Sequence, residues 1–450
     1  MRRHIRRRVP FRIAATAGGI ALAAALTATA TATPGGSGGS GDTPSAAPAR
    51  GTHEVEYFSR PGAHPRHTEV PAATPRRLTR EDRSLSAAEK ADDGDVGSVI
   101  RKGPVGDKVD VVFIGDGYTA SQQEDFHSDL RAKWQEMSAV EPYASYRDLF
   151  NVWSVDAVSN QSGVSGDPGK DVVKDTALDS YFWCDDLERL LCVDTDKVES
   201  YAAKAPQADL VVVLSNSAKY GGAGYTVTSQ VGYDGVATAS SDHADSDQVA
   251  VHETGHSLGK LADEYVYPDN GTYTGAEPEE ANASTLSADQ MADQRTKWYR
   301  WLGRTSPDGG TVGAHEGGRY YPKGINRPTE NSIMRTLGRE FSLPGREAMI
   351  AGFYRRASVI SSPTPTDEPV GRKTTLTVHI PKKASLKWYV DGDEVRSARG
   401  RKSITPASLG VRSDGKSHKV KAKATDTTAA VKDPALRKLL KDSRTWKVAR

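Results

Sequence analysis

The segment His252-Glu253-Thr254-Gly255-His256 combines residue types and a spacing that suit metal-assisted hydrolysis. Histidines four apart on a helix lie on one face and can reach the same ion. Glu253, one residue further along, projects beside them and is placed to act as a general base rather than a ligand. Zinc with three protein ligands keeps one position for water and lowers that water's pKa to about 7. Proton removal by Glu253 would then supply the nucleophile for attack on a carbonyl, and the same carboxyl would return the proton to the leaving amine.

A third ligand must come from elsewhere. Gly259 would let the chain turn back under the ion just before Leu261-Ala262-Asp263-Glu264-Tyr265. Asp263 is the first choice. Glu264 is the alternative, as a ligand or as a partner that orients a histidine. Ala262, three residues after the glycine, cannot ligate, so the spacing is shifted by one from the common metzincin pattern. Downstream, Met334 in Asn331-Ser332-Ile333-Met334-Arg335 reads either as a methionine turn beneath the metal or as an ordinary core methionine. Glu316, Tyr320, Tyr321 and Arg327 lie between these segments and are candidates for oxyanion or substrate contacts, Tyr320 and Tyr321 foremost.

The elements that must position these groups have their own signals. Asp245 to Gly259 reads as one helix, with Asp245 as N-cap, Gln248 three residues on and Gly259 as the stop. Val109 to Ile114 is an apolar, branched run closed by Gly115-Asp116-Gly117-Tyr118-Thr119, which predicts a buried strand and turn. A helix from about Ser121 to Met137 and a strand near Asn151 to Val158 follow. A further strand, Asp209 to Leu214, leads through Ser215-Asn216 into Tyr220-Gly221-Gly222-Ala223-Gly224. Strands alternating with helices indicate an α/β layer. Beyond Pro363-Thr364-Pro365, the alternation Thr374-Leu376-Val378-Ile380, a hairpin turning at Asp391-Gly392 and a strand His418 to Ala422 predict a small β-sandwich.

The chain has 450 residues and a formal net charge of +2, so no global basic field points to nucleic acid or an anionic membrane. An arginine-rich start, an apolar run from Ile13 to about Leu26 and Ala28-Thr29-Ala30 predict a secretory signal peptide over 1–32. The run falls short of the ~20 apolar residues of a span, so no stable membrane anchor is expected after cleavage. Residues 33–52 read as a flexible linker. Residues 53–107 form an N-terminal segment, a small β-unit or a pro-segment, with a strand-like Val55-Glu56-Tyr57-Phe58 and no cysteine to mask a zinc ion. The catalytic domain is expected over 108–362 and the β-sandwich over 363–450. The two cysteines, Cys184 and Cys192, are expected to form a disulfide in an oxidising compartment.

The ordered motifs resemble the IgA-peptidase-type metallopeptidases, a family of secreted bacterial zincins. They are Val109 to Thr119, Phe150-Asn151-Val152-Trp153 with Ser162-Gly163-Val164, Asn216 with Tyr220 to Gly224, the histidine segment running to Tyr265, and Ile333-Met334-Arg335. The resemblance implies an α/β, metzincin-like zincin domain with a twisted sheet over the active-site helix, followed here by the Ig-like β-sandwich. It also implies Zn2+ held by His252 and His256, Glu253 as base and a methionine turn at Met334. By analogy with zincins, the strand leading to Asn216 and Tyr220 lies near the sheet edge where an extended peptide adds, which makes Asn216, Tyr220, Gly221 and Gly222 substrate-binding candidates beside Tyr320 and Tyr321. Ser342-Leu343-Pro344-Gly345 departs from the family, in which cysteines often stand after the position of Phe341.

The expectation is therefore a secreted, monomeric zinc metalloendopeptidase acting on an extracellular protein or peptide, with IgA among the candidates. Two other classes compete with it: a catalytically silent adhesion or binding protein that retains a metal site, and a cell-wall amidase. An intact Glu253 counts against the first, because a closed structural site needs no neighbouring base. An open groove along a sheet edge, rather than a closed pit, would count against the second.

Overall fold

In the computed structural model, residues 51–75 and 85–449 are described. The expected signal peptide, 1–32, and nearly all of the expected linker, 33–52, lie outside them. Eight strands form one mixed sheet: β1 (Thr52–Tyr57), β2 (Arg66–Pro71), β3 (Asp95–Ile100), β4 (Val109–Asp116), β5 (Phe150–Asp156), β6 (Leu210–Ser215), β7 (Gly222–Thr228) and β8 (Asp234–Ser240). Their order is β2-β1-β7-β8-β6-β4-β5-β3. The helices are α1 (Ala87–Asp92), α2 (Gln123–Met137), α3 (Tyr143–Tyr146), α4 (Thr195–Ala202), α5 (Ser246–Ser257), α6 (Ala288–Gln294) and α7 (Leu343–Arg356).

The branched, apolar run at β4 forms a central strand because both of its faces are covered. All eight of its residues are buried. Alternation assigns Val111 and Phe113 to one face, where they meet Phe126 and Leu130 of α2, Ala250 and Val251 of α5, and Phe353 of α7. Val112 and Ile114 face the other way, toward Val198 and Ala202 of α4. Each such apolar side chain contributes roughly 1.5–3 kcal/mol on full burial. Strands β5, β4, β6 and β8 run parallel, whereas β7 is antiparallel to β8 and β3 is antiparallel to β5.

Residues 53–107 supply both margins of this sheet. β1 and β2 form a hairpin that adds to β7, and β3 closes the far side against β5. Cys184 and Cys192 are joined by a disulfide with Cα atoms 6.0 Å apart. No helix among the described residues is long and apolar enough to cross a membrane.

Beyond α6, β9 (His315–Gly318) and β10 (Tyr321–Arg327) form a hairpin. The C-terminal strands are β11 (Leu376–Thr377), β12 (Ala384–Val390), β13 (Asp393–Glu394), β14 (Ser403–Ile404), β15 (His418–Asp426) and β16 (Lys441–Val448). They make a four-stranded antiparallel sheet, β13-β12-β15-β16, and a separate β11–β14 pair. The turn joining β12 to β13 falls at Asp391-Gly392, both with positive φ, as the dipeptide predicts. Trp388 and Trp446 stack inside this region, and its core is continuous with that around α7. Tyr146 and Tyr354 both donate to the buried Asp426 Oδ2, at 2.9 and 2.7 Å, tying β15 to α3 and α7.

Two local expectations are corrected. Asp245 stands at the N-cap of α5, but its side chain makes no capping hydrogen bond. Asp247, in the first turn, is instead buried against Lys133 of α2. The chain reversal after α5 uses Lys260 (φ +50°) as its left-handed residue rather than Gly259. Gly259 is required for packing, since a Cβ there would stand 2.7 Å from both the Gly255 carbonyl oxygen and Met349 Sδ.

Candidate metal centre

α5 presents His252 and His256 one turn apart, with their Nε2 atoms separated by 3.1 Å. Both rings are fixed from behind. His252 Nδ1 is 2.9 Å from the Ile333 carbonyl oxygen and His256 Nδ1 is 2.7 Å from that of Leu261, contacts that require Nδ1–H as donor. This tautomer leaves two Nε2 lone pairs pointing at one another, an arrangement that a cation between them stabilises.

Asp263 enters the same space from the loop after α5. Its Oδ1 lies 3.2 Å from His252 Nε2 and 3.3 Å from His256 Nε2. A fourth group arrives from β1: Glu56 Oε1 is 3.2 Å from His252 Nε2, and Glu56 Oε2 is 3.4 Å from His256 Nε2. One ligand atom from each of Glu56, His252, His256 and Asp263 lies within 4.8 Å of the other three. Glu56 Oε1 and Asp263 Oδ1 are buried without a hydrogen-bond donor. These residues fit a metal ion. A tetrahedral ion with bonds of ~2.0–2.1 Å has ligand–ligand edges of ~3.3–3.4 Å, close to the separations found.

The electrostatics agree. Burial disfavours charge on His252, yet Glu56 and a hydrogen bond with Asp263 outweigh it and push the imidazole up to about 10. Asp263, despite burial, is held well below the usual carboxylate range by the two histidines. The cluster calls for positive charge at its centre.

Glu253 points beside the cluster, not into it. Burial, followed by the negative charge of Glu56, pushes it up to about 8. Its Oε1 is buried with no hydrogen-bond partner. The carboxylate has room only because β7 carries a glycine there: a Cβ on Gly224 would overlap it. Met334 lies beneath α5, with Sδ 2.6 Å from where a Cβ on Gly255 would stand. The Met334 carbonyl accepts from Glu264 N–H at 2.7 Å, which links this turn to the Asp263 loop.

Glu264 turns away from the cluster. Its oxygens accept from Asn282 Nδ2 at 2.9 Å and Ser332 Oγ at 2.7 Å, and burial pushes it up to about 7. Tyr320 donates its hydroxyl to Asp263 Oδ2 at 2.7 Å. Its φ of +72°, beside +44° at Arg319, is a strained turn of the β9–β10 hairpin that aims the phenol at the cluster.

The remaining candidates are placed elsewhere. Tyr321 packs on Tyr273. Arg327 donates to the carbonyls of Glu316, Gly317 and Glu330, bracing its hairpin and the turn after it, and Glu316 Oε1 accepts from Gly324 N–H at 3.4 Å. Asn216 donates to the Gly117 carbonyl at 3.0 Å, bracing the loop after β4. Gly221 and Gly222 permit close packing, against Phe182 and the Arg189 carbonyl for the first and against the Thr238 carbonyl for the second. Tyr220 is buried beside Phe58 and Val249.

Two members of the site escaped the sequence reading, Glu56 and His67. His67 Nε2 lies 2.8 Å from the Tyr265 hydroxyl and 3.7 Å from Asp263 Oδ2. The one available signal was an acid set within the strand-like Val55 to Phe58, and nothing local links it to α5. An open cleft of about 310 Å³ lies over the cluster, bordered by β7, Glu253, His256 and Tyr320.

Comparison with known proteins places this geometry. Residues 98–309 and 304–353 match the model of the family described as IgA Peptidase M64. No curated protein matches the chain. The family match spans more than half of the sequence and contains His252, Glu253, His256, Asp263 and Met334. The chain thus belongs to the IgA Peptidase M64 family and is a peptidase of the metal-dependent kind.

Proposed function

We propose that the protein is a secreted zinc metalloendopeptidase in which His252, His256 and Asp263 hold the ion and Glu253 is the general base. The observation that carries this reading is the convergence of metal-ligating atoms from Glu56, His252, His256 and Asp263 within 4.8 Å of one another, with an unpartnered Glu253 carboxylate beside them. Two imidazoles among the ligands favour zinc over calcium or magnesium, which take all-oxygen sites of higher coordination number. Zinc bound there supplies a water of lowered pKa and polarises the scissile carbonyl.

The chain's own groups do the rest. Glu253 accepts the water proton at its free Oε1 and returns it to the leaving amine. Tyr320 holds Asp263 in place through its hydroxyl. β1 covers the β7 edge at Gly224 and Tyr225, and once uncovered that edge would offer backbone groups to an extended peptide, while the open cleft suits a polypeptide better than a small closed-pocket substrate. The unpartnered Glu253 argues against a silent binding protein.

The order β7, β8, α5 with a methionine below supports a metzincin-like zincin fold. Trp388 and Trp446 stack on one another and share a buried core with Leu376 of β11 and Ile404 of β14, which supports an Ig-like sandwich at the C-terminus. The disulfide supports secretion. The substrate would be an extracellular protein, with IgA one candidate, and the enzyme a monomer. Metal analysis of the dialysed protein, paired with hydrolysis of casein and of IgA, tests this reading. One zinc per chain and Glu253-dependent cleavage are expected, and a protein that binds no zinc would overturn it.

A further inference from the structure

Catalytic zinc sites keep a coordination position for water, whereas four protein ligands make a closed site. Here the fourth corner is taken by Glu56, which comes from β1, outside the segment that matches the family. β1 pairs antiparallel with β7 in the register Val55 opposite Tyr225 and Glu56 opposite Gly224. Gly224 is the residue that makes room for Glu253. Glu56 therefore sits on the sheet edge where a peptide bond awaiting hydrolysis would lie, with its carboxylate in the position the water needs.

Phe58, two residues on, is buried in an apolar pocket made by Tyr220, Val249 and Leu337. Its ring meets that of His252 edge-on, with centroids 5.3 Å apart. The pocket is thus adjacent to the metal ligands, on the C-terminal side of Glu56. On the opposite strand of the hairpin, His67 reaches back to Glu54 at 3.1 Å and to the Tyr265 hydroxyl at 2.8 Å, so the hairpin is latched to the rim of the cleft.

We propose that the β1–β2 hairpin is an internal pseudosubstrate. It holds the peptidase latent through Glu56, and Phe58 marks a specificity pocket for a large apolar or aromatic side chain just C-terminal to the scissile bond. The preferred substrate class is an extended polypeptide bearing such a residue, and activation consists of displacing or removing the hairpin. This inference rests on the metallopeptidase reading above.

The test uses the full, zinc-loaded chain and its Glu56→Ala and Glu56→Gln variants; the glutamine keeps the side-chain volume if alanine perturbs folding. Binding of short peptide hydroxamates carrying a benzyl or no side chain is measured by calorimetry, amide exchange over residues 52–58 by mass spectrometry, and hydrolysis with a quenched-fluorescence peptide library. A cleft open in a tenth of the molecules or fewer weakens apparent affinity ~10-fold or more, so the variants are expected to gain at least that factor in hydroxamate binding. Exchange over 52–58 should quicken in the variants, and hydrolysis should rise in parallel. The benzyl compound should bind roughly 10-fold or more tightly than the unsubstituted one. Equal hydroxamate binding and equal hydrolysis by wild type and both variants would overturn latency, and indifference to the benzyl group would overturn the pocket. Improved hydroxamate binding without hydrolysis would leave the hairpin as a plug over the metal centre and overturn the endopeptidase reading, and with it the pseudosubstrate role, instead.

Discussion

Gly255 and Met334 are in direct register: the bare Cα of the helical glycine faces the methionine sulfur, which stands 2.6 Å from where a Cβ would be. The glycine between the acid and the second histidine is therefore a packing requirement. It lets the loop bearing Met334 press against α5 from below, and that loop supplies the Ile333 carbonyl that orients His252.

Gly255→Ala should accordingly cost about 1–3 kcal/mol through overpacking. Thermal unfolding would register the loss. Because His252 shifts with the loop, zinc affinity should fall in the same variant, and an unchanged metal affinity would separate the methionine from the site.

Gly224→Ala acts on the other side of Glu253. A methyl group there displaces the carboxylate, so hydrolysis should drop by roughly 100-fold or more, in line with the 10²–10⁴-fold that general acid–base catalysis contributes. Zinc content should persist, since no ligand is touched. Steady-state kinetics with metal analysis distinguishes this from general unfolding.

Asp263 and Glu264 are neighbours with different partners, and their alanine variants should differ in kind. Asp263→Ala should lose zinc while keeping most of its stability. Glu264→Ala leaves the Ser332 hydroxyl and one of the two Asn282 Nδ2 hydrogens without an acceptor in the interior, the other still donating to the Ala262 carbonyl, and should cost about 1–3 kcal/mol in stability, with a smaller loss of metal. Zinc titration and chemical denaturation of the pair test this ranking.

Tyr320→Phe removes the hydroxyl that holds Asp263 Oδ2 and leaves the ring. Groups that orient metal ligands typically account for 10–100-fold in metal affinity or activity, and a loss of roughly that size is expected here. Competition with a chelator measures it directly. An unchanged affinity would confine Tyr320 to substrate contact.

Much of the site is legible along the chain because its chemistry is local. The spacing of His252, Glu253 and His256 follows from helical geometry, and Asp263 follows α5 closely enough that a short reversal brings it back. The buried strands β4, β5 and β6 are legible because branched apolar runs have few other uses. Glu56 is not legible, because its place depends on β1 pairing with β7, a long-range register that no local pattern encodes. Gly259 misled for a related reason. Glycine signals either a left-handed turn or a close approach, and only the packing of α5 on α7 shows that the turn belongs to Lys260 and the close approach to Gly259.

The most direct test of the central claim compares Glu56→Ala with Glu56→Ala/Glu253→Gln, so that the hairpin carboxylate obscures neither result. Zinc per chain and casein hydrolysis are measured side by side. The account predicts one zinc in each protein and hydrolysis in the first alone, whereas hydrolysis persisting at a similar rate in the double variant would contradict Glu253 as the base.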